Sequence, residues 1–227
     1  MEKSLKITNI LLLLAIIIGD VLFVVLDYPL WIKAITSACF FVLGLINLLF
    51  AIKNKTQSLK FCIFMVIGLF FAMVADIVLE PAFIVGALIF ALAHILYFVA
   101  YCFLIKFKWI DLLYSAVIFV PAVLFMMLAP FFDYGSTLMQ IVCAIYALII
   151  SIMVGKSISN YVQQKSLLHL IIMIGSILFM LSDIMLLLDN FASLPAIFGI
   201  FCVGLYYPAE FLLAFSLTKT PQQTKNE

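Results

Sequence analysis

GSILFMLSDIMLLL, residues 175–188, reads as the middle of a membrane span except for one carboxylate, Asp183. An earlier stretch, GLFFAMVADIVLE (68–80), repeats the arrangement with Asp76. Aligned without gaps, MVIGLFFAMVADIVLE (65–80) and IMIGSILFMLSDIMLL (172–187) share Ile-Gly, then a Met, then Asp-Ile, at identical spacing. A carboxylate at the centre of a bilayer costs about 2.5–3.5 kcal/mol on insertion scales, so such a residue faces a cavity or a partner. Two of them in register point to two related halves that hold their carboxylates at one depth.

The rest of the chain agrees with a membrane setting. Of 227 residues, 68% are hydrophobic, only 10% are charged, and 23 are Phe. Soluble domains carry about 25% charged residues, so an ordinary water-soluble globule is excluded. Runs of some twenty apolar residues define a polytopic all-α membrane protein. The formal net charge is +1 with no basic patch, which leaves no case for a nucleic-acid partner. The five cysteines (39, 62, 102, 143 and 202) all sit in apolar runs with no paired spacing. They read as small hydrophobes rather than as a disulfide framework.

Eight transmembrane helices are expected, at 7–26, 31–52, 58–79, 82–105, 110–129, 136–155, 167–189 and 195–217. The first apolar run is too long for a signal peptide and reads as a retained span. Pro29, Pro81, Pro130 and Pro195 fall at starts or turns, while Pro121 and Pro208 fall in or near spans, where proline bends a helix. There is no arginine, and lysines 3, 6, 53, 55, 60, 106, 108, 156, 165, 219 and 225 all lie on one side of this arrangement. Only Lys33 falls on the other, with Asp27, Glu80, Asp133 and Asp189. The positive-inside bias then places both termini in the cytoplasm. The chain reads as one integral membrane domain (1–227), divisible into four-helix halves at 1–108 and 109–218, with a short tail at 219–227. The repeat implies parallel halves about an axis along the membrane normal. In the helices that follow the aspartates, Gly86 matches Gly199, His94 matches Tyr207 and Tyr97 matches Glu210.

Five ionisable residues stand inside spans: Asp20, Asp76, His94, Asp183 and Glu210. Asp20, near the end of the first span, fits the headgroup interface as well as a site. Gly68, Ala72 and Asp76 follow at i, i+4 and i+8, a small-residue stripe that admits close packing beside the carboxylate. His94 shares its face with Tyr97 and Tyr101; a buried His of this kind often serves only as a satisfied hydrogen-bonding group. Glu210 has Tyr206 and Tyr207 one turn earlier as expected hydrogen-bond donors. With one His deep in the membrane and no close His/Cys spacing, no metal site is expected.

At these residues the chain resembles the YhhN family, whose animal members are the lysoplasmalogenases. The resembling blocks are GLFFAMVADIVL (68–79), FIVGALIFALAHILYFVAY (83–101), GSILFMLSDIMLLLDNF (175–191) and YYPAEFLLAFSL (206–217). The family pattern has a Gly…Asp block, a Phe-x3-His-x2-Tyr helix, a Gly-x3-Phe-x2-Ser-Asp block and a Tyr-x2-Ala-Gln ending. On this chain those fall on Asp76, on Phe90, His94 and Tyr97, on Phe179, Ser182 and Asp183, and on Tyr206 or Tyr207 with Ala209. Two departures stand out: Ala75 where Gly is frequent, and Glu210 where Gln is usual.

The resemblance implies an ether hydrolase of the alkenylglycerophosphocholine or alkenylglycerophosphoethanolamine type, working on a lysophospholipid without a cofactor in a multi-pass membrane setting. The membrane would be the cytoplasmic one if the source is bacterial. Vinyl ethers open under acid: the alkenyl carbon distal to oxygen is protonated, water adds to the oxocarbenium ion, and the hemiacetal collapses to an aldehyde. That chemistry asks for one protonated carboxyl and one carboxylate, as at the paired carboxyls of glycosidases. Asp76 and Asp183 are the expected pair. His94, Tyr97, Ser182, Tyr207 and Glu210 are the expected orienting groups, with Asp20 and Lys33 nearer the headgroup. The same carboxylates leave a proton- or cation-coupled transporter open as the alternative. Which aspartate is the acid, the headgroup and the oligomeric state are open at this level.

Overall fold

The computed structural model describes residues 3–192 and 197–221. Eight helices follow in order: α1 (Lys3–Val25), α2 (Leu30–Lys53), α3 (Leu59–Leu79), α4 (Phe83–Leu104), α5 (Trp109–Leu128), α6 (Thr137–Gln163), α7 (Leu167–Phe191) and α8 (Ile197–Ser216). A 3₁₀ turn, Leu217–Lys219, ends α8. At 1.5 Å per residue even the 20-residue α5 reaches across a hydrocarbon core about 30 Å thick. All eight are long and apolar enough to cross a membrane. Among the described residues there is no strand, and Phe132 and Ala192 form an isolated antiparallel bridge. Pro29 caps α2, Pro81 and Pro130 lie in turns, and Pro121 and Pro208 lie inside α5 and α8. Pro195 and Lys225 lie outside the described residues.

One boundary differs from expectation. GKSISNYVQ (155–163), read as a loop, continues α6 to Gln163. Its polar side chains find partners inside the bundle, and so the helix can bury them. Lys156 Nζ donates to Asp111 Oδ2 at 2.7 Å and to the Lys106 carbonyl at 3.1 Å. Ser159 donates to Asp111 Oδ1, and Asn160 to the Tyr101 carbonyl at 3.0 Å. Lys156, counted above among the lysines of one side, is fully buried.

Sequential helices pack side by side except α4 and α5, closest in the pairs α3–α4 and α7–α8. Glycine permits the first approach: a Cβ at Gly86 would stand 2.5 Å from the Leu79 Cα, and one at Gly68 would stand 2.5 Å from the Tyr97 ring. Across the chain, α4 packs on α6 and α8 packs on α2. The neighbour relations of the first four helices thus recur in the last four, and the buried core draws most on α2, α3, α4 and α8.

The turn between α1 and α2 is strained. Asp27 and Tyr28 have φ of 63° and 61°, a region that costs L-residues roughly 1–2 kcal/mol each. The Tyr28 N–H closes on the Phe23 carbonyl at 2.8 Å, and its ring meets Phe23 edge-on at 5.1 Å. That fixes two aromatics beside the α3 carboxylates.

Candidate active site

On α2, Lys33 and Ser37 are one turn apart; on α3, Asp76 and Glu80 are one turn apart. The two faces meet as a ladder. Lys33 Nζ lies 3.3 Å from Asp76 Oδ1 and 2.8 Å from Glu80 Oε1. Ser37 donates to Asp76 Oδ2, and Tyr207 from α8 donates to the same oxygen at 3.2 Å. Phe23 lies under the ammonium, 5.5 Å from ring centre to Nζ. Asp76 and Lys33 are both buried, while the Glu80 side chain is half-exposed. Lys33, expected near the headgroup, is instead committed to two carboxylates.

Asp183 on α7 has a different shell. Tyr146 from α6 donates to Asp183 Oδ2 at 2.8 Å, and His94 Nε2 from α4 lies 3.3 Å from that oxygen. His94 Nε2 and the Tyr146 hydroxyl are themselves 2.8 Å apart, which closes a triangle. Phe179 packs edge-on against the imidazole at 4.6 Å between ring centres. Among the described residues Asp183 Oδ1 takes no hydrogen bond, and His94 Nδ1 is buried without a partner.

One turn further from the α3–α4 turn, Tyr97 donates to Glu210 Oε2 at 2.8 Å, and Glu210 Oε1 is buried without a partner. The tyrosines expected to serve Glu210 go elsewhere: Tyr206 to the Ala72 carbonyl at 3.3 Å and Tyr207 to Asp76. Ser182 donates to the Cys202 carbonyl at 2.8 Å and ties α7 to α8. Asp20 is half-buried with Oδ1 unpartnered, and it lies within electrostatic range of Asp76 and Tyr207. Among the described residues no three His, Cys, Asp or Glu side chains converge as a metal site.

Two cavities meet at this layer. A polar one of about 110 Å³ has Lys33, Asp76, Glu80, Ser182, Asp183 and Asp189 in its wall. An apolar one of about 320 Å³ lies between α4, α5, α6 and α7. Leu79, Phe90, Asp183 and Leu186 line both, so Asp183 is the carboxylate common to the two. The structure thus brings Asp76, Asp183 and Ser182 to one cavity, sets Tyr207 and His94 on the two aspartates, and leaves Tyr97 and Glu210 to each other.

A sequence model of the YhhN family matches residues 30–217. The chain belongs to the YhhN family. The match takes in α2 to α8, and with them every residue of the two aspartate shells. Comparison with curated proteins and with solved structures returned no match. Two side chains of this YhhN site, Ser37 and Tyr146, were not singled out from sequence, and Lys33 was expected only as a headgroup contact. The i, i+4 spacing of Lys33 and Ser37, with Lys33 the lone lysine on its side, was a readable signal. Tyr146, one tyrosine in an apolar span, carried none.

Proposed function

We propose that this protein is a lysoplasmalogenase-type membrane hydrolase, cleaving the vinyl ether of a single-chain lysophospholipid to a fatty aldehyde and a glycerophospho-base. The supporting observation is the position of Asp183 in the wall of both cavities, with Asp76 in the wall of the polar one. A lipid lying across that junction has its chain in the apolar cavity, its headgroup in the polar one and its ether beside Asp183.

The two shells divide the labour. Asp76 accepts from an ammonium and two hydroxyls, a shell that suits the carboxylate's part in the pair because charge-assisted bonds favour that form. Asp183 leaves Oδ1 free of protein donors and faces both cavities, so we assign it the part of the acid. Asp183 gives its proton from Oδ1 to the alkenyl carbon distal to the ether oxygen. The carbon–carbon π electrons form the new C–H bond, and an oxygen lone pair forms the oxocarbenium. Tyr146 and His94 stabilise the carboxylate left behind on Oδ2. Asp76 faces the cation and takes up the proton released as water adds. In the collapse of the hemiacetal Asp76 gives that proton to the departing glycerol oxygen and Asp183 takes the hydroxyl proton as the aldehyde forms, so both carboxyls return to their starting state with one water consumed. The polar cavity lies at the end of the bundle with the α1–α2 and α3–α4 turns, where Tyr28 and Glu80 line it, the face that the positive-inside bias would set away from the cytoplasm.

Aldehyde release from a lysoplasmalogen by the purified protein tests this reading. General acid–base groups contribute about 10²–10⁴-fold, so Asp183→Asn is expected to lower kcat by that order with lipid binding retained. Wild-type rates in a folded Asp183→Asn protein would sink the mechanism.

A further inference from the structure

The recurrence of packing between the halves has one break. α1 packs on α2 and also on α8, whereas α5, in the corresponding place, packs on α6 and makes no comparable contact with α4. The apolar cavity fills the space so left. Small side chains line three of its walls: Ala87 on α4, Ala122 on α5 and Ala147 on α6. Its volume of about 320 Å³ is at the low end of the roughly 300–1,000 Å³ found for small-ligand sites, a size for one chain rather than two.

The cavity is closed toward the α5–α6 turn. Asp133 N–H donates to the Phe191 carbonyl at 2.8 Å, Phe132 bridges Ala192, and Phe83 meets Phe191 edge-on at 5.5 Å. Sideways it is open, because Phe125 lines the cavity and is still 43% exposed on a face that meets lipid. Inward it ends at Tyr146 and Asp183.

We infer that the gap between α4 and α5 is the lateral entry and resting slot of a single hydrocarbon chain, and that Ala87, Ala122 and Ala147 set the longest chain the site accepts. The identity of the ligand as a lipid rests on the function proposed above. Lateral entry also suits the chemistry, because a chain that arrives from the bilayer core brings its ether to Asp183 without crossing water.

The test measures binding with lipids that acid does not cleave. Saturated O-alkyl lysophosphoethanolamines, octyl to octadecyl, displace a fluorescent single-chain lysolipid from the protein in nanodiscs. Overpacking a filled site costs enough to weaken binding about tenfold. Ala122→Phe and Ala147→Phe are therefore expected to weaken the octadecyl ether about tenfold and to change the octyl ether less than about twofold. Leu124→Phe, at a position 50% exposed to lipid, should change neither. If the Phe variants fail to fold, Ala122→Val and Ala147→Val shift the same cutoff by less. Octadecyl binding that stays at wild-type strength in both cavity variants overturns the slot, as does equal loss of both lengths. A chain-length cutoff without aldehyde release overturns the hydrolase reading alone, and aldehyde release without a cutoff overturns the slot alone.

Discussion

Tyr97 donates its hydroxyl to Glu210 Oε2 at 2.8 Å, and these two residues occupy matching places in the aligned stretches of the two halves. Contact between matching positions is what the parallel halves expected from the sequence would give near their axis. The contacts around the pair cross in the same sense. Asp76 takes Tyr207 from α8, Asp183 takes His94 from α4, and Tyr207 and His94 also match. Each aspartate is therefore completed by the last helix of the other half.

Glu210 has one hydrogen-bond donor and no cation among the described residues. Its oxygen serves Tyr97 as well in an amide as in a carboxyl. Glu210→Gln is expected to unfold within about 1 kcal/mol of wild type, whereas Tyr97→Phe removes the only donor and costs about 1–3 kcal/mol. Denaturant unfolding in detergent checks both. A large loss in Glu210→Gln would mean that the carboxyl itself is needed.

Lys33 neutralises two carboxylates from a buried position. Removing one member of a buried pair leaves an uncompensated charge and costs about 3–5 kcal/mol. Lys33→Met should lose stability of that order, and Lys33→Met with Asp76→Asn should recover part of it. A double-mutant cycle reads the coupling, and strict additivity would show that the two groups do not sense each other.

Tyr146 bonds to Asp183 and to His94, and so it acts on the acid. Tyr146→Phe keeps the ring packing and removes one charge-stabilising donor. A fall in kcat of about tenfold to a hundredfold with little change in KM is expected, since loss of such a donor falls on the reacting state. A KM effect alone would make Tyr146 a wall of the lipid cavity and nothing more.

The eight spans were legible because membrane helices announce themselves by length and apolarity, and because the lysines sort to one side. The two aspartates were legible because each interrupts an apolar run. What sequence did not reveal is the pairing between them. Lys33 sits next to a turn and reads as a headgroup contact until α2 is laid against α3. Glu210 has two tyrosines one turn away on its own helix, but its donor comes from α4, because α3 draws Tyr206 and Tyr207 onto Ala72 and Asp76. The end of α6 failed for a related reason: polar residues signal a loop only when nothing inside the bundle can satisfy them.

That end of α6 carries a prediction of its own. Lys156 and Asp111 form a fully buried ion pair 2.7 Å apart, with Ser159 and the Lys108 N–H on the same carboxylate. Lys156→Met leaves Asp111 charged and short of a partner, at a cost of about 3–5 kcal/mol. The last two turns of α6 then lose the contact that holds them inside the bundle, so amide exchange over 156–163 should quicken more than exchange elsewhere. Lys156→Met with Asp111→Asn removes both charges, keeps an oxygen for Ser159, and should slow that exchange again. Uniform protection of α6 in the single variant would mean that helix packing, with Gly155 pressed against Ser115, holds these turns without the ion pair.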